Sequence, residues 1–90
     1  MRFENDVELY RTIGANIKNY RKKSNISQAK LAEDIGISLS YISKIEASGC
    51  DKSVSVSVLN QIANALDVEI TKLFEGEDWD EISWSIWKDC

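Results

Sequence analysis

The chain has 90 residues, no proline, two cysteines and a formal net charge of −4. A chain of this length builds one modest hydrophobic core, so we expect a single small domain. No apolar run approaches the roughly 18 residues that a membrane span requires, and the acidic start lacks the basic and apolar regions of a signal peptide. We therefore expect a cytoplasmic protein with Cys50 and Cys90 as free thiols.

Charge is distributed unevenly along the chain. From Arg11 to Lys52 there are eight basic and four acidic side chains, whereas residues 53–90 contain two basic and eight acidic ones. The first ten residues add one basic and three acidic side chains. A basic middle and an acidic tail are typical of a domain that turns one face toward phosphate, with chance clustering on a solvated surface as the alternative.

Apolar residues at helical spacing predict a first helix from about Val7 to Lys23. Asp6 is the expected N-cap, and the basic residues of the last turn suit the negative end of the helix dipole. The residues that share one face of this helix, three or four positions apart, are Leu9, Ile13, Ile17 and Tyr20.

Two short helices joined by a tight turn are predicted next. Ser27 caps a helix over 28–35, which Gly36 ends in a left-handed conformation. Ser38 then caps a third helix over 39–46. Because so few residues separate these two helices, they cannot form an antiparallel hairpin and must cross at a steep angle, as in a helix-turn-helix. Their inward-facing residues are Leu31, Ala32, Ile35, Ile42 and Ile45.

The remaining pattern predicts two more helical segments after a loop over 47–53, where the residues are small and polar. Serine and valine alternate over 53–58, which alone would favour a strand, but the helical repeat that follows favours a helix over 56–66 capped by Ser55. A last short turn closes the core with Ile70, Leu73 and Phe74. We therefore expect an all-α domain of five helices.

Motifs in these helices follow a common pattern. They are Ile13-Gly14, Ile17 and Arg21; Ile26-Ser27-Gln28 and Leu31-Ala32; Gly36-Ile37-Ser38 and Tyr41-Ile42-Ser43-Lys44-Ile45-Glu46; and Leu59, Ile62-Ala63, Ala65-Leu66-Asp67-Val68 and Leu73-Phe74. Together they resemble the xenobiotic-response-element and Cro/lambda-type repressor family of DNA-binding domains. Two features depart from that family: the loop after Glu46 lacks the usual asparagine or arginine with glycine and a proline, and Asp67 replaces a common glycine.

The resemblance implies a compact, lambda-repressor-like fold whose third helix enters the major groove of double-stranded DNA. The polar residues on its outward side, and hence the expected base readers, are Ser40, Ser43 and Lys44. Lys44 can donate to guanine O6 or N7, whereas a serine hydroxyl suits several base edges. Leu39 can touch a thymine methyl group, and Tyr41 can reach a base or a phosphate. An ordinary solvated lysine is the alternative for Lys44.

The resemblance also assigns positioning roles. Gln28 begins the second helix, where family members set a glutamine against the DNA backbone and the recognition helix. Further candidates for phosphate contact, with plain capping or loop polarity as the alternative, are Ser27, Ser38, Ser48 and Lys52. Arg21 and Glu46 are expected to form a structural ion pair that fixes the third helix to the scaffold.

Residues 1–75 therefore form the expected DNA-binding domain, and residues 76–90 form an acidic, tryptophan-rich extension. Its alternating apolar residues favour a short strand, although some of them also fit one helix face. The tryptophans either fold back onto their own core or form an apolar patch for dimerisation or a protein partner. The candidates for that patch are Trp79, Ile82, Trp84, Ile86 and Trp87.

The sequence gives little support for an enzyme, a metal site or a cofactor. It has no histidine, no glycine loop that could hold a phosphate and no cysteine pair at zinc spacing. One such domain covers a single half-site, so we expect a homodimeric repressor or autoregulator that binds a palindromic operator. The alternative is an antitoxin or another regulator whose tail holds a protein partner.

Overall fold

The computed structural model describes residues 2–47 and 54–75 of the chain. These ranges contain four α-helices and one 3-10 helix, which are α1 (Asp6–Lys23), α2 (Gln28–Ile35), α3 (Leu39–Ala47), α4 (Val56–Leu66) and the 3-10 helix (Ile70–Phe74). The prediction of an all-α fold with five helical segments is confirmed for the described residues. None of these helices combines the length and the apolar character that crossing a membrane would require.

The start of α1 differs from the prediction by one residue. Its N-cap is Asn5, whose side chain accepts a hydrogen bond from the backbone N–H of Glu8. Asp6, which we expected to be the cap, lies in the first turn instead. A carboxylate there still interacts favourably with the positive end of the helix dipole. Both residue types are good caps, so composition alone did not separate two adjacent candidates.

Serine caps α2 and α4 as predicted. The hydroxyl of Ser27 accepts from the backbone N–H of Lys30, and that of Ser55 accepts from the backbone N–H of Val58. Each hydroxyl satisfies an amide that has no partner within its own helix. The helix predicted after the serine–valine alternation therefore begins where expected.

Left-handed residues end the same two helices. Gly36 has a φ of 73° after α2, and Asp67 has a φ of 57° after α4. Each cap donates its backbone N–H to carbonyls of the last turn, which would otherwise lack a partner. Asp67 thus adopts the left-handed conformation that glycine adopts most easily, which explains why glycine is usual at this position in the family that the sequence resembles.

The core lies between α1, α4 and the helix-turn-helix pair. Helix α1 packs against α3, α4 and the 3-10 helix, while α2 packs against α3 and α4. The buried apolar side chains at the centre of this core are Ile13, Ile17, Leu31, Ala32, Ile42, Ile45, Leu59, Ile62, Ala63, Leu66 and Leu73. Burying so many branched side chains supplies the main driving force for the fold.

Asn16 is a fully buried polar residue within this core. Its side-chain nitrogen donates to the carbonyl oxygens of Leu73 and Glu75, at 2.8 Å in both cases. A primary amide has two N–H donors, so one side chain can serve both carbonyls. Asn16 therefore fastens the end of the 3-10 helix to α1. The apolar periodicity of α1 did not identify this role.

Candidate nucleic-acid interface

The turn between α2 and α3 directs the start of α3 away from the core. After the left-handed Gly36, the backbone N–H of Ile37 donates to the carbonyl of Ala32 at 3.0 Å. The hydroxyl of Ser38 then accepts from the backbone N–H of Tyr41 at 3.1 Å. These bonds close α2 and open α3 within three residues, so the two helices form the compact motif that the sequence predicted.

Helix α3, the predicted recognition helix, has a buried side and an exposed side. Ile42, Ile45 and Glu46 are buried, and the side chains of Tyr41 and Ser43 are half-buried. On the outward side, Leu39 keeps 48% of its surface in solvent. The other exposed residues of this side are Ser40 and Lys44. Of the five predicted contact residues of the helix, three are therefore exposed, whereas Tyr41 and Ser43, the second of which was expected on the outward side, are half-buried.

Arg21 and Glu46 lie in contact between α1 and α3. The Nε atom of Arg21 donates to Oε2 of Glu46 at 2.8 Å, and Nη2 donates to Oε1 at 2.9 Å. The third nitrogen, Nη1, donates to the carbonyl of Ile26 at 2.7 Å. The Glu46 side chain is only 2% exposed, so this paired, bidentate charge is shielded from water. It ties the C-terminal half of α3 to α1.

Gln28 extends this contact to α2. Its Nε2 atom donates to Oε1 of Glu46 at 3.1 Å, and its Oε1 atom accepts from the hydroxyl of Ser43 at 2.9 Å. The family resemblance implied that Gln28 lies against the recognition helix but did not identify these two partners. Four side chains from three helices, namely Arg21, Glu46, Gln28 and Ser43, therefore form one hydrogen-bonded series, which we call the polar relay.

A further cation lies close to the polar relay. Burial lowers the pKa of Lys18 from its usual value, the charge of Lys22 acts in the same direction, and the charge of Glu46 opposes both. Lys18 was counted in the basic segment but was not singled out from the sequence, because its place beside Glu46 depends on how α1 packs against α3.

The remaining candidates divide into capping residues and residues that are not described. Ser27 and Ser38 are exposed, and their hydroxyls cap α2 and α3. Ser48 and Lys52 lie outside the described residues, as does the predicted tail patch of Trp79, Ile82, Trp84, Ile86 and Trp87. Within 2–47 and 54–75, no three acidic, histidine or cysteine side chains are grouped so that they could hold a metal ion.

Known proteins share both this sequence pattern and this fold. A family model described as helix-turn-helix matches residues 17–73. The chain is 43% identical over 65 residues to the HTH-type transcriptional regulator SlrR of Bacillus subtilis (strain 168), a match that covers 72% of this chain and 42% of the relative. It is 36% identical over 63 residues to the HTH-type transcriptional regulator SinR of the same strain, covering 70% and 56% respectively. The chain thus spans about half the length of these relatives.

A solved structure gives the same result for the fold. The crystal structure of SinR, described as the master regulator for biofilm formation, in complex with DNA superposes with a TM-score of 0.65 at 36% sequence identity. The match covers 70% of this chain and 98% of that one. The chain therefore belongs to the helix-turn-helix family, in the xenobiotic-response-element and Cro/lambda-type group that its motifs resemble.

Proposed function

We propose that this chain is a transcriptional regulator that binds double-stranded DNA at specific sequences, with α3 in the major groove. The observation that carries the proposal is the two-sided character of α3. One side is held by apolar packing and by the buried Glu46, while Ser40, Lys44 and Leu39 project into solvent. A rigid helix with an exposed polar side fits the dimensions and the hydrogen-bonding edges of the major groove.

Each exposed residue has a distinct role in this proposal. Lys44 donates to guanine O6 or N7, and Leu39 packs against a thymine methyl group. Ser40 adds a hydroxyl that suits several base edges. Tyr41, half-buried at the side of the helix, contacts a base or a phosphate. Lys44 is the strongest donor of the set and is expected to contribute most to base recognition.

Residues around the start of α2 position the protein on the phosphate backbone. The first amides of this helix point out of its N-terminus, where they favour an anion. One N–H of the Gln28 amide serves Glu46, and a primary amide has a second N–H that can serve a phosphate oxygen. Ser27, Ser38, Ser48 and Lys52 are the further phosphate contacts proposed from the sequence. Contacts of this kind fix orientation rather than sequence preference.

Selection of bound sequences from random duplex DNA tests the proposal. The full chain should enrich one defined site, and Lys44→Met should weaken binding to that site by about tenfold, within the range for loss of a base contact. Lys72→Met is the matched control, because it removes the same charge from the 3-10 helix rather than from α3. Equal, weak binding to every duplex, or equal effects of the two substitutions, would refute the proposed interface.

The proposed regulator acts as a homodimer on a palindromic operator. A single domain of this type covers one half-site, and pairing two copies increases both affinity and specificity. The acidic charge of residues 76–90 favours a tail that faces away from DNA. Its Trp79, Ile82, Trp84, Ile86 and Trp87 are the proposed contacts, since tryptophan is enriched at interaction hot spots.

A second candidate function uses the same domain with a different tail partner. In that case the tail binds another protein, as in an antitoxin, while α3 still binds DNA. The same acidic and tryptophan-rich composition supports this candidate. Light scattering distinguishes the two: a monomeric full chain at micromolar concentration would disfavour the homodimer and leave the tail to a different partner.

A further inference from the structure

The polar relay begins at a group whose hydrogen-bonding direction is fixed. Both carboxylate oxygens of Glu46 accept from Arg21, at 2.8 and 2.9 Å, in a buried setting. A carboxylate paired with a guanidinium in this way is ionised and can only accept hydrogen bonds. Any further side chain that forms a hydrogen bond with the Glu46 carboxylate must therefore be the donor.

This requirement determines the orientation of the Gln28 amide. The atom that faces Oε1 of Glu46 at 3.1 Å must be the nitrogen, because an oxygen there would oppose the carboxylate without a hydrogen between them. The amide oxygen consequently points the other way, toward Ser43. The ion pair between α1 and α3 thus sets which atom of the Gln28 amide faces Ser43.

The amide oxygen in turn determines the orientation of the Ser43 hydroxyl. Oε1 of Gln28 can only accept, and it lies 2.9 Å from the Ser43 oxygen, so the single hydroxyl hydrogen is used in that bond. Ser43 can therefore only accept a hydrogen bond from any other partner, through the lone pairs of its oxygen. Ser40, three positions earlier on the same face, is exposed, and within residues 2–47 and 54–75 its hydroxyl is not bonded to Gln28, so it can donate or accept.

We propose, on the basis of the DNA-binding function proposed above, that Ser43 is a specificity-determining residue that accepts a hydrogen bond from an amine on a base edge. In the major groove such amines are N6 of adenine and N4 of cytosine. Guanine and thymine present O6 and O4 there, which are acceptors and would face the lone pairs of Ser43. A serine normally tolerates either kind of edge, so the polar relay converts a permissive side chain into a selective one.

Amine deletion in the DNA tests this assignment directly. The site position read by Ser43 is first found by comparing the sequences selected by the wild-type chain and by Ser43→Ala. At that position, purine replaces adenine, or 2-pyrimidinone replaces cytosine, so that only the amine is lost. The wild-type chain should lose about fivefold or more in affinity, as for a mild mismatch. Ser43→Ala should show no such dependence on the amine, which controls for the weakened base pair.

A second variant tests the origin of the selectivity. Gln28→Met keeps a side chain of similar length but removes the acceptor for the Ser43 hydroxyl. Guanine or thymine should then be bound within about twofold of adenine or cytosine at this one position, well inside the usual cost of a mismatch. The other positions should keep their preferences. Ser40→Ala, the matched serine control, should leave the preference at the Ser43 position unchanged. Thermal melting establishes that each variant is folded, and if Gln28→Met is not, the amine-deletion comparison decides alone.

The outcomes separate the two levels of the proposal. Three results would overturn the role of Ser43 while leaving DNA binding intact. The selected site could carry guanine or thymine at the Ser43 position, or no position of the site could depend on Ser43. The wild-type chain and Ser43→Ala could also show the same dependence on the amine. Failure of the wild-type chain to select any site would instead remove the proposed function and the role of Ser43 with it.

Discussion

Glu46 links the stability of the fold to the position of the proposed recognition helix. Its carboxylate is almost fully buried on α3, and the guanidinium of Arg21 neutralises it with two hydrogen bonds. Burying a charge costs several kcal/mol unless a partner compensates it, so each member of the pair depends on the other. The pair therefore holds the recognition helix in place as long as both members are present.

Replacing Arg21 with alanine should strand the buried carboxylate. The expected loss is about 3 to 5 kcal/mol in the free energy of unfolding, and hence a fall of more than about 10 °C in Tm. Calorimetry or denaturant unfolding of the full chain measures this change. Lys22→Ala, an exposed neighbour, is the matched control and should change stability by less than about 0.5 kcal/mol. An unchanged Tm for Arg21→Ala would contradict the structural role of the pair.

Asn16 provides a second residue-scale test. Asn16→Asp preserves the shape of the side chain but replaces its N–H₂ donor by an oxygen that faces the carbonyls of Leu73 and Glu75. We expect a loss of at least about 2 kcal/mol in stability, because one buried and one part-buried acceptor lose their donor. Asn19→Asp on the same helix is the control, since the Asn19 amide donates to the carbonyl of Ala15 in its own helix. Equal effects of the two substitutions in urea unfolding would argue against the assigned role.

At the scale of helices and turns, left-handed residues determine where α2 and α4 stop. Gly36 and Asp67 both have positive φ angles, but only Gly36 lacks a side chain. A Cβ added to Gly36 would meet no atom within 4 Å, so any cost of a substitution there comes from the backbone conformation alone. The turn between α2 and α3 therefore depends on a local backbone preference and not on packing at this residue.

Alanine at these positions should therefore destabilise the fold without affecting the core. Gly36→Ala should cost about 1 kcal/mol, the penalty for placing a Cβ in the left-handed region. Asp67→Ala should cost less than this, because aspartate already carries a Cβ and the change removes only the local hydrogen bonding by which aspartate tolerates this conformation. Asp67→Gly should not be destabilising, because glycine adopts this conformation freely. Chemical denaturation of the three variants makes the comparison. If Asp67→Gly lost as much stability as Asp67→Ala, the aspartate side chain rather than φ would be the important feature.

At the scale of the whole molecule, the charges are segregated along the chain. The segment from Arg11 to Lys52 is net basic although the protein as a whole is acidic. The proposed association with DNA through that segment should release counterions from the phosphates, and the acidic tail should not take part. Affinity for the selected site should fall at least about tenfold between about 50 and 200 mM salt. A fluorescence titration that found no dependence on salt would contradict phosphate contact by the basic segment.

The quaternary structure proposed for the tail can be tested on the same scale. Size-exclusion chromatography with light scattering compares the full chain with a version that ends at Glu75. We expect a dimer for the full chain and a monomer for the shortened one, because the proposed contact residues lie beyond position 75. Two dimers would exclude the tail as the only contact surface and move the interface to the helical domain.

Sequence alone determined the features of this protein that depend on neighbouring residues. Apolar spacing, serine caps and Gly36 gave the helices and the tight turn, because each involves contacts within about four positions along the chain. The same local patterns, combined with the family resemblance, predict that α3 is the recognition helix. The errors at helix ends are of one residue: Asp6 was expected as the cap of α1 instead of Asn5, and α3 was expected to end at Glu46 but ends at Ala47.

Only the tertiary structure decided how distant polar residues pair. Asn16 and Leu73 are 57 positions apart, Arg21 and Glu46 are 25 apart, and Gln28 and Glu46 are 18 apart. The resemblance named the second of these pairs but gave no hydrogen-bonding direction to Gln28 or Ser43. These directions depend on which donor lies next to which acceptor after α1, α2 and α3 have packed together. The periodicity of a sequence does not predict such contacts between distant residues.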